Sequence, residues 1–459
     1  MALLWRARAN HLFPMPPPGT DQLSMLRAAA GICHGHFPGA GYMYSPAYTL
    51  FLAALAFVAR GDILIMRILQ AAVCAFVPVV IYKLARVLKC GREAAALAAL
   101  LYCFYGASAL VSLSFLRAAP LALCFLLFAY YAIITSVNWT WKGCGLTAFF
   151  ATLCVLGREN LAAVLVVAAI SPFVFQRRMH AFENKSKYII MYVMTIILIL
   201  PIPLYNYFRF GVFAIIPGAF TNIIKIFYGQ SPAISNSPSL IEAATRNIPL
   251  QFDRLCCSYE IPNSLSVYAH ADIISFMAVF VLGFNVLLAL ALVGSLLHKR
   301  NPGILFVALC IVVYFISLFP FAMFYRYRLV ATPLLCVLAG IGLRKTLRLK
   351  SLAKKIIICV CVAVFALLTY VPPDRVRPVG ERRAVAAVLV SNGRFSDAEA
   401  YLRDMAADGE LREAEWRYLA RALHASGDRD GAAAVWMEYL DLRKRRGGRG
   451  VEKGKVSGD

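Results

Sequence analysis

Residues 63–87 read ILIMRILQAAVCAFVPVVIYKLARV, a run in which Arg67 is the only charge before Lys83. As a helix rising about 1.5 Å per residue, it reaches about 37 Å, more than the roughly 30 Å of a bilayer's hydrocarbon layer. Working outward, comparable apolar runs fall at about 94–115, 117–136, 143–157, 160–176, 188–205, 272–297, 303–321, 328–344 and 356–371. The pattern predicts an all-α polytopic membrane helix bundle of about ten spans. A chain that is 61% hydrophobic and 15% charged could not cover a soluble surface with polar groups.

The formal net charge of +23 does not point to nucleic acid. Lys and Arg fall in clusters between runs: Lys83 to Arg92, Arg177 to Lys187, Lys299 with Arg300, and Arg344 to Lys355. Even numbers of crossings separate these clusters, so all four can face the cytoplasm. The expected location is the inner (plasma) membrane, with a large outer loop over 206–271.

The ends differ from the middle. Residues 1–62 hold a proline-rich stretch, a helical piece from Asp21 to Gly31 and a run from Pro46 to Ala59 that is short for a span and suits an interfacial helix. Nothing before Asp21 resembles an anchor or cleavable signal. Beyond residues 63–371 the composition turns to mixed charge. Within 372–442, Asn392-Gly393 and Ser426-Gly427, Ala398 and Ala432, Ala400 and Ala434, and Leu402 and Trp436 recur at an interval of 34 residues, which resembles the tetratricopeptide repeat. An unrelated helical hairpin stays open for this region, and 443–459 reads as a basic disordered tail. Extracytoplasmic placement would let the repeat dock an acceptor or a protein partner.

The thirteen cysteines are scattered without CxxC pairs and read as small buried hydrophobes, Cys256-Cys257 in the outer loop excepted. His34 and His36 in a glycine-rich turn do not make a ligand set, so neither a metal nor another cofactor is expected.

Several pieces, in order, resemble a known family. Tyr44-Ser45-Pro46-Ala47-Tyr48 followed by Arg67, Asn206-Tyr207-Phe208-Arg209-Phe210-Gly211 followed by Gly218 and Asn222, and Arg326-Tyr327-Arg328-Leu329 with Pro333 are similar to stretches of the GT-C polyprenyl-phosphate-dependent glycosyltransferases. The nearest kin by this resemblance are the protein O-mannosyltransferases and lipid A aminoarabinose transferases of the family 39 type. The resemblance spans about Asp21 to Leu343. It implies an inverting transferase that moves a sugar from a polyprenyl-phosphate donor to a lipid, glycan or protein acceptor at the outer membrane face.

On that resemblance Asp21 matches the family's acidic residue in the first outer loop, which orients or deprotonates the acceptor; it equally reads as a helix cap. Arg158, Arg326 and Arg328 are the donor-phosphate candidates, because a planar guanidinium grips two oxygens at once. An ion pair with Glu159 or with a neighbouring span is the rival reading for Arg158, and interfacial anchoring for the other two. Tyr44, Glu159, Asn206, Tyr207 and Arg209 are further substrate-contact candidates. The span that precedes the acidic residue in the family is missing here. The region from Ser108 to Pro120 offers Arg117 where the family often has a carboxylate. An O-antigen ligase or polymerase, a non-catalytic scaffold and a transporter or flippase remain open alternatives, although no internal duplication or mid-membrane acid favours the last.

Overall fold

The computed structural model describes residues 21–36, 45–166, 185–215, 255–256, 283–298, 300–318, 325–369 and, with interruptions, 386–452. The elements are helices throughout these residues. Asp21–Cys33 (α1), Pro46–Val58 (α2), Ile63–Cys74 (α3), Val77–Val87 (α4), Arg92–Cys103 (α5), Gly106–Leu113 (α6), Ala118–Val137 (α7) and Trp141–Gly157 (α8) come first. Lys185–Ile199 (α9), Pro201–Phe210 (α10), Phe284–Leu297 (α11), Pro302–Leu318 (α12), the single turn Tyr325–Arg328 (α13), Thr332–Leu347 (α14) and Leu352–Leu368 (α15) complete the apolar part.

Three stretches among the described residues, Ile63–Val87, Ala118–Val137 and Ile189–Phe210, are long and apolar enough to cross a membrane. Pro46–Val58, Trp141–Gly157, Phe284–Leu297 and Pro302–Leu318 are shorter apolar helices. Phe57, Ile189, Ile196, Leu367 and Leu368 are exposed, and α15 buries no residue. Such surfaces suit hydrocarbon rather than water.

The centre of the bundle is α14, every one of whose residues from Thr332 to Gly342 is buried. Glycines let it approach its neighbours backbone to backbone. A Cβ at Gly294 of α11 would fall on the Leu338 carbonyl oxygen, one at Gly342 on the Leu290 carbonyl oxygen, and one at Gly340 would lie 2.6 Å from the Ala98 amide nitrogen of α5. Close crossings at small residues replace the hydrophobic drive that lipid cannot supply.

One end of the bundle gathers basic residues. Arg344 donates to the Cys90 carbonyl at 2.9 Å and to Glu93 at 3.3 Å, Arg348 reaches Glu93 at 2.6 Å, and Asn301 donates to the Leu88 carbonyl at 3.1 Å. Segments of the first, third and fourth basic clusters therefore meet. About 24 Å of α14, at 1.5 Å per residue, separates this end from the other.

Three expectations change. The run at 94–115 is not one helix: α5 ends at Cys103, α6 begins at Gly106, and polar side chains take over the freed backbone groups. At the break Ser108 Oγ donates to the Tyr105 carbonyl at 2.8 Å, and at the far end of α6 Gln70 Nε2 donates to the carbonyls of Ser112 and Ser114 at 3.0 and 2.6 Å. Asn206 does not open an irregular segment, because α10 runs on to Phe210 and closes at Gly211, whose φ of +71° is left-handed and costs glycine little. The basic stretch is helical up to Glu452, because the helix Arg429–Glu452 (α18) continues past residue 443; the remainder of the expected tail lies outside the described residues. Extending a formed helix costs little per residue, and Arg and Lys are good helix formers.

The second compact unit contains Pro372–Asp459. Its described helices are Phe395–Ala407 (α16), Glu413–Ser426 (α17) and α18, which share a core including Ala398, Leu402, Met405, Leu419 and Leu423. Gly393 and Gly427, 34 residues apart, both have positive φ, +72° and +93°. The equivalence is not kept in packing: Leu402 is fully buried, whereas Trp436 is 39% exposed.

Candidate active site

The end of the bundle opposite Glu93 is built around the exit from α8. Gly157 ends that helix against α7, where an added Cβ would meet Leu121 Cδ1 at 2.6 Å. The chain then extends through Arg158, with φ −163° and ψ 117°. Three contacts hold this exit. Ser45, which caps α2 by accepting from the Tyr48 amide, donates its hydroxyl to the Leu156 carbonyl at 3.3 Å. Arg117 lies 3.5 Å from the Gly157 carbonyl. Asn160 Nδ2 donates to the Ser317 carbonyl at the end of α12 at 2.6 Å.

Arg158 is thereby buried, with only 4% of its surface exposed. Its guanidinium carbon lies 3.4 Å from the centroid of the Tyr327 ring. The Tyr314 hydroxyl donates to the Tyr327 carbonyl at 2.8 Å and feels both Arg158 and Arg117 electrostatically. Arg158 Nε and Glu159 Oε2 are buried with no hydrogen-bond partner among the described residues. The two neighbouring charges form no ion pair with each other, so the rival reading of Arg158 as the partner of Glu159 does not describe this turn.

No protein-family model matches the chain. No curated protein matches it either. Among solved structures, the crystal structure of ArnT from Cupriavidus metallidurans bound to undecaprenyl phosphate overlays with a TM-score of 0.48 at 15% identity, covering 96% of this chain and 76% of that one. No role passes from that protein to this chain at such a likeness, and the site rests on its own residues.

The other candidates are placed differently. Arg328 is 1% exposed, lies 4.3 Å from the Phe284 ring centroid and donates to the Leu255 carbonyl at 3.1 Å, tying the segment at Leu255-Cys256 to the bundle. Asn206 is fully buried and uses its amide to close the end of α10, donating to the carbonyls of Ala214 at 2.7 Å and Ile215 at 3.3 Å. Tyr207 is 52% exposed, and Arg209 is exposed in the last helical turn. Asp21 opens α1, and Arg326 belongs to α13, but the side chains of both lie outside the described residues, as does Tyr44 altogether.

Helix α1 packs with α2 in a cluster that contains Met25, Leu26, Tyr48, Leu52, Met66 and Phe115. Phe115 also faces the buried Arg67, whose guanidinium carbon lies 5.0 Å from its ring centroid. Arg117, Gly157, Arg158 and Tyr327 are joined in turn by these contacts, and Arg67 with Phe115 forms a separate pair. Arg117 was not among the predicted site residues. Its one legible signal was a charge just before an apolar run, which orientation rules explain equally well. Among the described residues no three His, Cys, Asp or Glu side chains gather to hold a metal ion.

The arrangement concentrates cationic hydrogen-bond donors at one end of an apolar bundle, with one carboxylate close by in sequence. Guanidinium groups in a low-dielectric setting suit a phosphate ester, whose charge they neutralise while making directed bonds.

Proposed function

We propose that this protein is an integral membrane glycosyltransferase that uses a polyprenyl-phosphate-linked sugar. The observation that carries the reading is Arg158, a nearly fully buried guanidinium with an unpartnered Nε, unpaired with Glu159 and facing the same phenol as Arg117. A buried cation left without its own carboxylate is costly, and an anionic ligand offsets that cost. The apolar surface of the bundle suits a polyprenyl tail, and the resemblance in the stretches at Tyr44, Asn206 and Arg326 supplies the sugar.

In the reaction so read, an acceptor hydroxyl attacks the anomeric carbon. The bond from that carbon to the phosphate oxygen breaks, and its electron pair leaves on the lipid phosphate. Arg158, with Arg326 from α13, meets the charge that gathers there, and Arg328, held by the Leu255 carbonyl, adds its positive field. Asp21 orients the acceptor and takes its proton. Direct displacement by one activated hydroxyl inverts the anomeric centre. Acceptor identity, an outer-face site and docking through the C-terminal helices belong to the same proposal.

The test is to incubate the full chain, purified in lipid nanodiscs, with undecaprenyl phosphate and read bound lipid by native mass spectrometry. Binding that falls at least about tenfold in Arg158→Ala is expected, as a charge-assisted phosphate contact of about 1.5–3 kcal/mol requires. Equal binding by wild type and variant overturns the reading.

A further inference from the structure

We propose that Gln70 is a positioning residue, which touches no ligand itself but sets Arg117 beside Arg158 as a second cation for the lipid phosphate. The assignment rests on the transferase reading and adds how the anionic end of that site is held together.

A closed circuit of hydrogen bonds surrounds the exit of α8. Gln70 of α3 is fully buried, and its Nε2 donates to the carbonyls of Ser112 and Ser114, at the end of α6, at 3.0 and 2.6 Å. Both carbonyls can only accept, so the NH2 end of the amide must face them, and its oxygen end is left needing a donor. The buried Tyr48 hydroxyl of α2 supplies it at 2.8 Å. The Ser114 carbonyl also accepts from the Leu116 amide at 2.7 Å, which closes the tight turn that delivers Arg117. Arg117 then donates to the Gly157 carbonyl at 3.5 Å. Ser45, three residues before Tyr48, donates to the neighbouring Leu156 carbonyl at 3.3 Å and so brings the circuit back to α2.

Two observations tie this circuit to Arg117. Arg117 is the N-cap residue of α7 and makes no side-chain cap bond, and the helix dipole disfavours a cation at that end. Its position is therefore held by the fold against the local field. The circuit also ends on the two carbonyls immediately before Arg158, whose guanidinium is itself held 3.4 Å from the Tyr327 ring centroid. One frame thus sets the spacing of both arginines before a ligand arrives, and a phosphate ester has oxygens enough to share between them.

The experiment uses the full chain in nanodiscs with two lipids of the same tail, undecaprenyl phosphate and uncharged undecaprenol, each read by native mass spectrometry. The quantity followed is the preference for the phosphate lipid. A general loss of structure weakens both lipids together and leaves that preference unmoved. Arg117→Ala should lower it at least about tenfold, and Gln70→Met, which keeps length but removes both polar ends, at least about threefold. Beside Arg117→Ala, Gln70→Met should change it by less than about twofold, because the positioning residue then has nothing to position. If Gln70→Met does not accumulate, Tyr48→Phe, a milder cut in the same circuit, runs the same cycle.

An undiminished preference in Arg117→Ala overturns the inference without needing a folded Gln70 variant. So does a loss from Gln70→Met, or from Tyr48→Phe in its place, that persists in full beside Arg117→Ala. If the wild-type protein shows no preference for the phosphate lipid, the transferase reading itself fails and takes this inference with it.

Discussion

The Arg158 guanidinium carbon sits 3.4 Å from the centroid of the Tyr327 ring, joining the exit of α8 to the turn that precedes α14. The contact orders a long, flexible cation without neutralising it, because an aromatic face attracts a cation but carries no net charge. Tyr327→Leu should weaken undecaprenyl phosphate binding by about 2- to 30-fold, matching the 0.5 to 2 kcal/mol of such contacts, and Tyr327→Phe should keep most of it. Equal losses in the two variants would point to the phenol hydroxyl instead.

Arg158→Lys separates charge from shape. Lysine keeps the positive charge but loses the planar fork and the stack on Tyr327. Binding of the lipid phosphate should stay at least about fivefold below wild type, since bidentate contact is worth more than a point charge. Full recovery in the lysine variant would mean that charge alone suffices.

The crossing of α11 and α14 leaves no room for a side chain at Gly342, where a Cβ would fall on the Leu290 carbonyl oxygen. Gly342→Val should destabilise the folded protein by about 1–3 kcal/mol or prevent its accumulation, as overpacking does. Thermal unfolding in detergent reads the effect. Gly145, whose Cβ would meet nothing within 4 Å, gives the control Gly145→Ala, expected near wild type.

Tyr48 donates to Gln70 Oε1 at 2.8 Å, and Gln70 in turn holds the carbonyls of Ser112 and Ser114. Tyr48→Phe leaves the amide oxygen buried without that donor and should cost about 1–3 kcal/mol in unfolding free energy. A loss indistinguishable from zero would show that another donor reaches it.

At the opposite end, Arg344, followed by Arg348, holds the Glu93 carboxyl below the usual carboxylate range. A depressed folded-state value means the stabilisation is present above the unfolded-state value and is lost as pH falls through the folded-state value. Apparent unfolding temperature should therefore drop on acidification below about pH 4.5 by more in wild type than in Glu93→Gln. The exposed position of Glu93 makes the difference small.

Much of the fold could be read locally. The runs at 63–87 and 117–136 carry their own evidence in length and apolarity, and the structure places helices over Ile63–Val87 and Ala118–Val137. The run at 94–115 looked the same and is broken between Cys103 and Gly106, where Ser108 takes up the Tyr105 carbonyl, while Gln70 on another helix holds the far end of α6 through the Ser112 and Ser114 carbonyls. Asn206 likewise looked like a loop residue, yet it is a buried helical residue whose amide caps the carbonyls that follow.

By itself, the sequence determined that this is a membrane helix bundle with a polar appendix, since hydrophobic length and composition are additive properties of a segment. It also placed cations at Arg158 and Arg328. Only the tertiary structure decided that Arg158 leaves Glu159 unpaired and meets Tyr327, that Arg328 is turned to the Leu255 carbonyl and Phe284, and that Arg117 reaches the Gly157 carbonyl beside Arg158. Whether a charge is spent on a neighbour or left for a ligand depends on contacts between helices some 170 residues apart, as Arg158 and Tyr327 are, and no local pattern encodes them.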